Sequence, residues 1–175
     1  MIRLALPADL DGIEAGYEEH FAYEAAHEAY TVWKKGVYPT RQTAADAIAT
    51  GTLYVYEDHG EILASVIVDQ NQPEKYQDIS WKIAVAPSQV LVIHTLAVRP
   101  SKAGKGLGSA MVDYIDALAR EKGCKVLRLD TGSQNIPAVN LYTKKGFTIV
   151  ASSAMKVGGV VPHSGHLFLE KIVEG

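Results

Sequence analysis

Apolar residues along this chain change spacing several times, and the changes outline its elements. Residues 2–6 open with a short strand. Ile13, Tyr17, Phe21 and Ala25 then recur every fourth position, which predicts a helix. Asp9 or Asp11 can cap its start, because a short carboxylate accepts the free N–H groups of a first turn. The helical stretch is expected to reach about residue 35, as one bent helix or two. A second amphipathic helix follows over residues 40–49, closed by Gly51. Two β-rich runs, TLYVYED and EILASVIVD, meet at His59-Gly60 and predict a hairpin, since glycine supplies the positive φ of a tight turn. Residues 70–77 are polar and loop-like, and WKIAV at 81–85 reads as a strand.

Beyond Pro87 the order is plainer. VLVIHTLAV, residues 90–98, is an apolar, β-branched strand, followed by a glycine-rich turn and a helix over residues 107–122. Leu107, Met111, Tyr114, Ile115 and Leu118 keep helical spacing and form a face that packs on a sheet. Arg120 and Lys122 suit the negative helix end, and Gly123 can end it in the left-handed conformation. KVLRLD is the next strand, residues 136–145 form a helix stopped by Gly146, and FTIVAS and HLFLEKIV close the chain as strands. No repeat or Pro/Gly/Ser linker divides this order. The expectation is a single domain over 1–175, α/β (α+β) in class, with helices on both faces of one mixed sheet.

Composition narrows the classes of function. The chain has 175 residues, 47% of them hydrophobic, enough for one buried core. Lys and Arg total 17 against 20 Asp and Glu, so no general electrostatic pull toward nucleic acid or anionic lipid is expected. The single cysteine, Cys124, rules out an intrachain disulfide framework and a multi-thiolate metal site. The first residues lack the apolar run of a signal peptide, and no stretch approaches the ~18–20 apolar residues of a spanning helix. A soluble cytoplasmic protein is expected, with a homodimer as the default assembly.

The most informative segment is Arg99-Pro100-Ser101-Lys102-Ala103-Gly104-Lys105-Gly106-Leu107-Gly108-Ser109, set between a strand and a helix. Alternating glycines let the backbone turn tightly and expose successive N–H groups. With the positive end of the following helix they make a pocket for a phosphate. A P-loop would need GxxxxGK[ST], which is missing here. A dinucleotide fingerprint would need GxGxxG at the first strand–helix turn, whereas these glycines read GxGxG and lie past mid-chain.

At this point the sequence resembles the GNAT superfamily of acyl-CoA N-acyltransferases. The family's strand signature L-x-V-x-P appears as Leu96-Ala97-Val98-Arg99-Pro100. Its [Arg/Gln]-x-x-Gly-x-Gly/Ala loop appears from Ala103 to Gly108, with Ala103 in place of the usual Arg or Gln. A second signature, N-x-x-A-x-x-L-Y-x-K-x-G-F, is matched by Asn135, Ala138, Leu141, Tyr142, Lys144 or Lys145, Gly146 and Phe147. The two signatures cover the central part of the chain; residues 1–85 match only in layout. The resemblance implies a mixed, mostly antiparallel sheet of about seven strands, with a V-shaped splay between central strands. Residues 90–150 would be the acetyl-CoA-binding core and residues 1–85 the acceptor-side half. The pyrophosphate would rest on the N–H groups of Ala103, Gly104, Lys105, Gly106, Leu107, Gly108 and Ser109. The pantetheine arm would pair with the strand edge at Leu96, Ala97 and Val98, as an added strand would. Asn135 would reach the cofactor, and Tyr142 would stand beside its sulfur.

Acetyl transfer to an amine sets three demands. A typical ammonium has a pKa near ~10, so a base must take its proton. The oxyanion needs a fixed donor, for which a strand N–H at 96–98 is placed. The departing thiolate needs an acid, and the resemblance assigns that role to Tyr142, where a helix-face core aromatic is the plain alternative. His94 is the candidate base; lying two residues before Leu96, it is expected on the same strand face. Asp130 is an alternative base, or a residue that orients a loop or caps the helix that follows. Tyr23, Trp33, Tyr38, Arg41 and Trp81 are candidates for the acceptor site. His20, Glu24 and His27 share a helical face; they read as a solvated acidic face rather than a metal site, and no metal is expected. The implied reaction is direct acetyl transfer from acetyl-CoA to a primary amine, a small molecule rather than a protein N-terminus or lysine. A non-catalytic acyl-CoA-binding or sensor module is the alternative.

Overall fold

The structure is a computed structural model that describes residues 1–174. Its elements are β1 (Ile2–Leu4), α1 (Leu10–Ala26), α2 (Arg41–Ala49), β2 (Leu53–Asp58), β3 (Glu61–Asp69), β4 (Val90–Val98), α3 (Leu107–Glu121), β5 (Val126–Gly132), α4 (Ile136–Lys144), β6 (Thr148–Val157) and β7 (Val161–Ile172). The seven strands form one sheet in the order β1-β2-β3-β4-β5-β7-β6. Every neighbouring pair is antiparallel except β4 and β5. Among the described residues no helix is long and apolar enough to cross a membrane.

The helices cover both faces. Met111, Val112 and Ile115 of α3, with Tyr142 of α4, pack against Leu91, Ile93, Leu127 and Leu129. On the other face Ile13, Tyr17 and Phe21 of α1, with Ala44 and Ala47 of α2, close over Leu53, Val55 and Ile67. Each such large apolar side chain, fully buried, contributes about 1.5–3 kcal/mol.

Three local expectations need correction. The first helix stops at Ala26, not near residue 35. There the Glu24 carboxylate accepts the N–H groups of Tyr30 and Thr31 at 2.9 and 2.8 Å, and that tie folds the chain back on α1. Asp9 does not cap α1 with its side chain; its carboxylate turns back to Arg3 and the Leu6 N–H, each at 2.7 Å. Residues 81–85 are not a strand. Trp81, Ile83 and Val85 are anchors of a crossing loop that packs with Tyr76 on Phe168. The alternation was real, but it serves burial rather than pairing.

The decisive feature lies in β4. Its pairing with β5 ends after three rungs, Val90↔Val126, Leu91↔Leu127 and Val92↔Arg128. On its other edge, Ser65↔Ala97 and Ile67↔His94 show that β3 advances two residues while β4 advances three. The extra residue is a bulge, with Thr95 at φ 51. Beyond it the alternation of faces resets. Leu91, Ile93, Leu96 and Val98 all contribute to the α3/α4 side, whereas Val90 and Val92 lie on the opposite side. His94 opposes Ile67, whose side chain belongs to the α1/α2 core. His94 and Leu96 therefore face opposite sides of the sheet, contrary to the period-two expectation.

Candidate active site

Where β4 and β5 part, a cleft of about 800 Å³ opens through the sheet. Its two faces differ chemically. On the α3/α4 side the lips are Ile93 and Leu129, with Ala138, Asn135 and Tyr142 of the α4 region beside them. On the other side the lips are His94 and Asp130, each two residues past the last β4–β5 rung, Val92↔Arg128. Thr31, Trp33, Tyr38 and Gln72 extend that side.

Tyr142 is buried between sheet and helix, edge-on to Phe147. Burial, reinforced by the negative charge of Asp130, pushes its phenol pKa far up, so it stays protonated and remains a donor. Asn135 caps α4 by accepting the Ala138 N–H at 3.2 Å. His94 Nε2 meets Asp69 Oδ1 at 2.7 Å. Burial works against ionising Asp69, yet the bond from His94 and the Asn71 N–H outweigh it and hold its carboxyl below the usual range. An ionised Asp69 accepts, so Nε2 carries a proton, and in the neutral ring His94 Nδ1 keeps a free electron pair.

The glycine turn forms the exposed start of α3, outside the cleft lining. Gly104 and Gly106 have φ 78 and 76, and nothing lies within 4 Å of where a Cβ would stand. That is an open cradle of backbone donors, fit for a phosphate. Gly108 has a different reason: a Cβ there would meet Leu141 at 3.1 Å, so it serves the close packing of α3 on α4. Farther along, Arg99 N–H donates to Leu63 O at 3.0 Å. By strand alternation the N–H groups of Val98 and Leu96 turn to the open side.

The other candidates separate. Trp33 and Tyr38 line the cleft, and Tyr38 bonds through its hydroxyl to Thr95 at the bulge. Tyr23 stacks on His27, Arg41 pairs with Asp11 and Glu14, and Trp81 lies under the Arg128 guanidinium at 4.4 Å. His20 bonds Glu24 at 3.0 Å while His27 turns to Tyr23 O, so the trio fastens the end of α1. Among the described residues no three His, Cys, Asp or Glu gather as a metal site. Cys124 is buried and its thiol pKa is raised by that burial, a poor nucleophile.

Sequence reasoning missed the partners of Asp130. Tyr76 hydroxyl donates to Oδ1 at 2.6 Å, His166 Nε2 bonds Oδ2 at 2.8 Å, and His166 Nδ1 faces His163 Nδ1 at 3.0 Å. Two histidines three apart in a strand should face opposite sides. A second bulge, opposite residues 153–155 of β6, brings them together.

Comparison with known proteins gives the same site a lineage. The Acetyltransferase (GNAT) family profile matches residues 17–147. The streptothricin acetyltransferase of Streptomyces lavendulae is 29% identical over 79 residues, 45% of this chain and 42% of that protein. That of Escherichia coli is 27% identical over 93 residues, 53% of this chain and 50% of the relative, so this chain spans no more than half the length of these two relatives. Among solved structures, a GNAT-family acetyltransferase from Streptococcus agalactiae superposes with TM-score 0.81 at 24% identity, covering 100% of this chain and 96% of that one. The protein yncA of Salmonella typhimurium, solved with its cofactor acetyl-CoA, gives TM-score 0.68 at 21% identity, covering 100% and 94%. By its profile match, with the splayed β4–β5 slot and the glycine cradle in agreement, this chain belongs to the GNAT acetyltransferase family.

Proposed function

We propose that the protein is an N-acetyltransferase that moves an acetyl group from acetyl-CoA to a small-molecule primary amine, by direct attack with both substrates bound. The observation that carries this reading is the two-sided slot: apolar lips with a buried phenol on one face, His94 and Asp130 on the other. Acetyl-CoA, when bound, supplies the acetyl group as an activated thioester. Backbone N–H groups of residues 103–109 hold its phosphates, and the free edge of β4 at Leu96 to Val98 pairs with its extended arm. The inward N–H groups of that edge stabilise negative charge on the acetyl oxygen.

His94, fixed by Asp69, takes a proton from the amine at Nδ1. Two protons leave the nitrogen over one cycle; Tyr142 returns one to the departing sulfur through its hydroxyl, and the other goes to solvent. Family membership and the hydrogen-bonded Asp69–His94 pair support catalysis over mere acyl-CoA binding. Thiol release from acetyl-CoA, measured against a panel of diamines, amino acids, aromatic amines and aminoglycosides, tests the reading. Amine-dependent turnover is expected. Acetyl-CoA binding without turnover across the panel would leave a binding module instead.

A further inference from the structure

Asp130 has a chemistry that the scheme above does not use. His166 Nε2 donates to Oδ2 at 2.8 Å, and its Nδ1 meets Nδ1 of His163 at 3.0 Å. Tyr76 donates its hydroxyl to Oδ1 at 2.6 Å. Among the described residues no lysine or arginine pairs with this carboxylate. Two rungs along the same face, Glu170 meets the Arg128 guanidinium at 2.9 Å, a full counter-charge. The lysines of the cleft do not supply one for Asp130: Lys75 leans to Asp78 at 3.9 Å and Lys156 is solvent-exposed.

A carboxylate with no lysine or arginine partner in a largely buried place gains from a cation that meets it. Its oxygens have about four acceptor positions, and the two fixed donors fill only two. The Asp130 side chain is 14% exposed, and it lines the cleft level with His94 across the slot. Its charge is felt at both Tyr38 on the acceptor side and Tyr142 on the cofactor side, so it lies near the point where the two halves meet. Tyr38 and Trp33, lining the same side, offer aromatic faces to a cation.

We propose that Asp130 is the seat of the acceptor's ammonium group, so that the acceptors are amines bound in their cationic form. The inference rests on the acetyl-transfer reading for its purpose, though not for its test. Once R–NH3⁺ is held on Asp130, one N–H bond breaks, its electron pair stays on nitrogen, and the proton passes to Nδ1 of His94. Tyr76, His166 and His163 are positioning residues that fix the carboxylate.

The test uses the full chain and two probes of equal shape, benzylammonium and benzyl alcohol, titrated by NMR at pH 7.5 and low salt. The wild-type protein should bind the cation about tenfold more tightly than the alcohol, and Asp130→Asn should abolish the preference while acetyl-CoA binding is unchanged. Equal binding of the two probes by the wild-type protein would overturn the proposal and needs no variant to fold. So would a preference that survives Asp130→Asn. Failure of amine-dependent turnover would instead remove the proposed activity and leave the binding result standing.

Discussion

Replacing Asp69 with Asn tests the base without touching the ring that faces the amine. Asp69 Oδ1 lies 2.7 Å from His94 Nε2, and its carboxyl titrates below the usual range, so at neutral pH the acceptor is an anion. That anion holds the tautomer with the proton on Nε2 and stabilises the imidazolium that forms. An Asn can instead present its NH2 to Nε2, which moves the ring proton to Nδ1 and removes the free electron pair from the cleft. A hydrogen bond to a charged group contributes about 1.5–3 kcal/mol. At 1.4 kcal/mol per decade the loss is roughly ten- to 150-fold, and it should fall on kcat. KM for acetyl-CoA should not move, because Asp69 does not line the cleft. The pH profile carries the sign. The pair removes the amine's proton within the cleft, so the wild-type rate depends on pH less steeply than the fraction of free amine does. The variant keeps climbing as solution supplies free amine, and the gap narrows toward the amine's own pKa near ~10. Thiol release across pH 6–9.5 measures both. Asp69 also accepts the Asn71 N–H at 2.9 Å, so a melting curve must accompany the kinetics. A variant within about twofold of wild type, with the same pH profile, would take the Asp69–His94 pair out of the base role.

Three further outcomes are expected. Tyr142→Phe should lower kcat by about 10²-fold while acetyl-CoA affinity stays constant, since general-acid contributions have that size; unchanged kcat removes the phenol from the acid role. Gly106→Val places a β-branched residue at φ 76, which costs about 1–2 kcal/mol, and calorimetry should record at least a tenfold loss of acetyl-CoA affinity. Normal affinity would mean that the phosphates bind elsewhere. Arg128→Met leaves Glu170, 3% exposed, without its cation and should cost about 3–5 kcal/mol in urea unfolding; a loss below about 1 kcal/mol would contradict the buried pair.

What the sequence announced was local, and what it hid was long-range. The glycine turn, α3 with its Gly123 stop at φ 73, and the His59-Gly60 hairpin are each written in neighbouring residues. So were the cofactor-side candidates Leu96, Asn135 and Tyr142, which do line the cleft. The bulge at Thr95 carries no glycine or proline to mark it, and a strict period of two placed His94 on the wrong face. Asp130 and His166 are 36 residues apart, and only the antiparallel β5–β7 register brings them together. No spacing rule encodes that. Residues 81–85 misled for another reason: burial of alternate side chains looks the same in a strand and in a loop pinned to a core.

The departures from local rules converge on one place. Thr95 is β-branched yet left-handed, a conformation that persists only when its surroundings enforce it. Here the enforcement is visible: its hydroxyl is bonded to Tyr38, and the Tyr38 ring is backed by Gly158 at the tip of β6–β7, where a Cβ would collide with the ring. One residue from Thr95 stands His94, and across the slot stands Asp130, a carboxylate with no lysine or arginine partner among the described residues. Between them both strands give up their ladder after three rungs and leave N–H and C=O groups open. A fold optimised for stability alone would pair those edges, relax Thr95 and neutralise Asp130. The bulge is what spreads the strands, the spread edges are what an extended amide arm can pair with, and the lone carboxylate is what a cationic amine can satisfy. The left-handed Thr95, the open strand edges and the carboxylate thus lie together at the slot rather than scattered through the sheet.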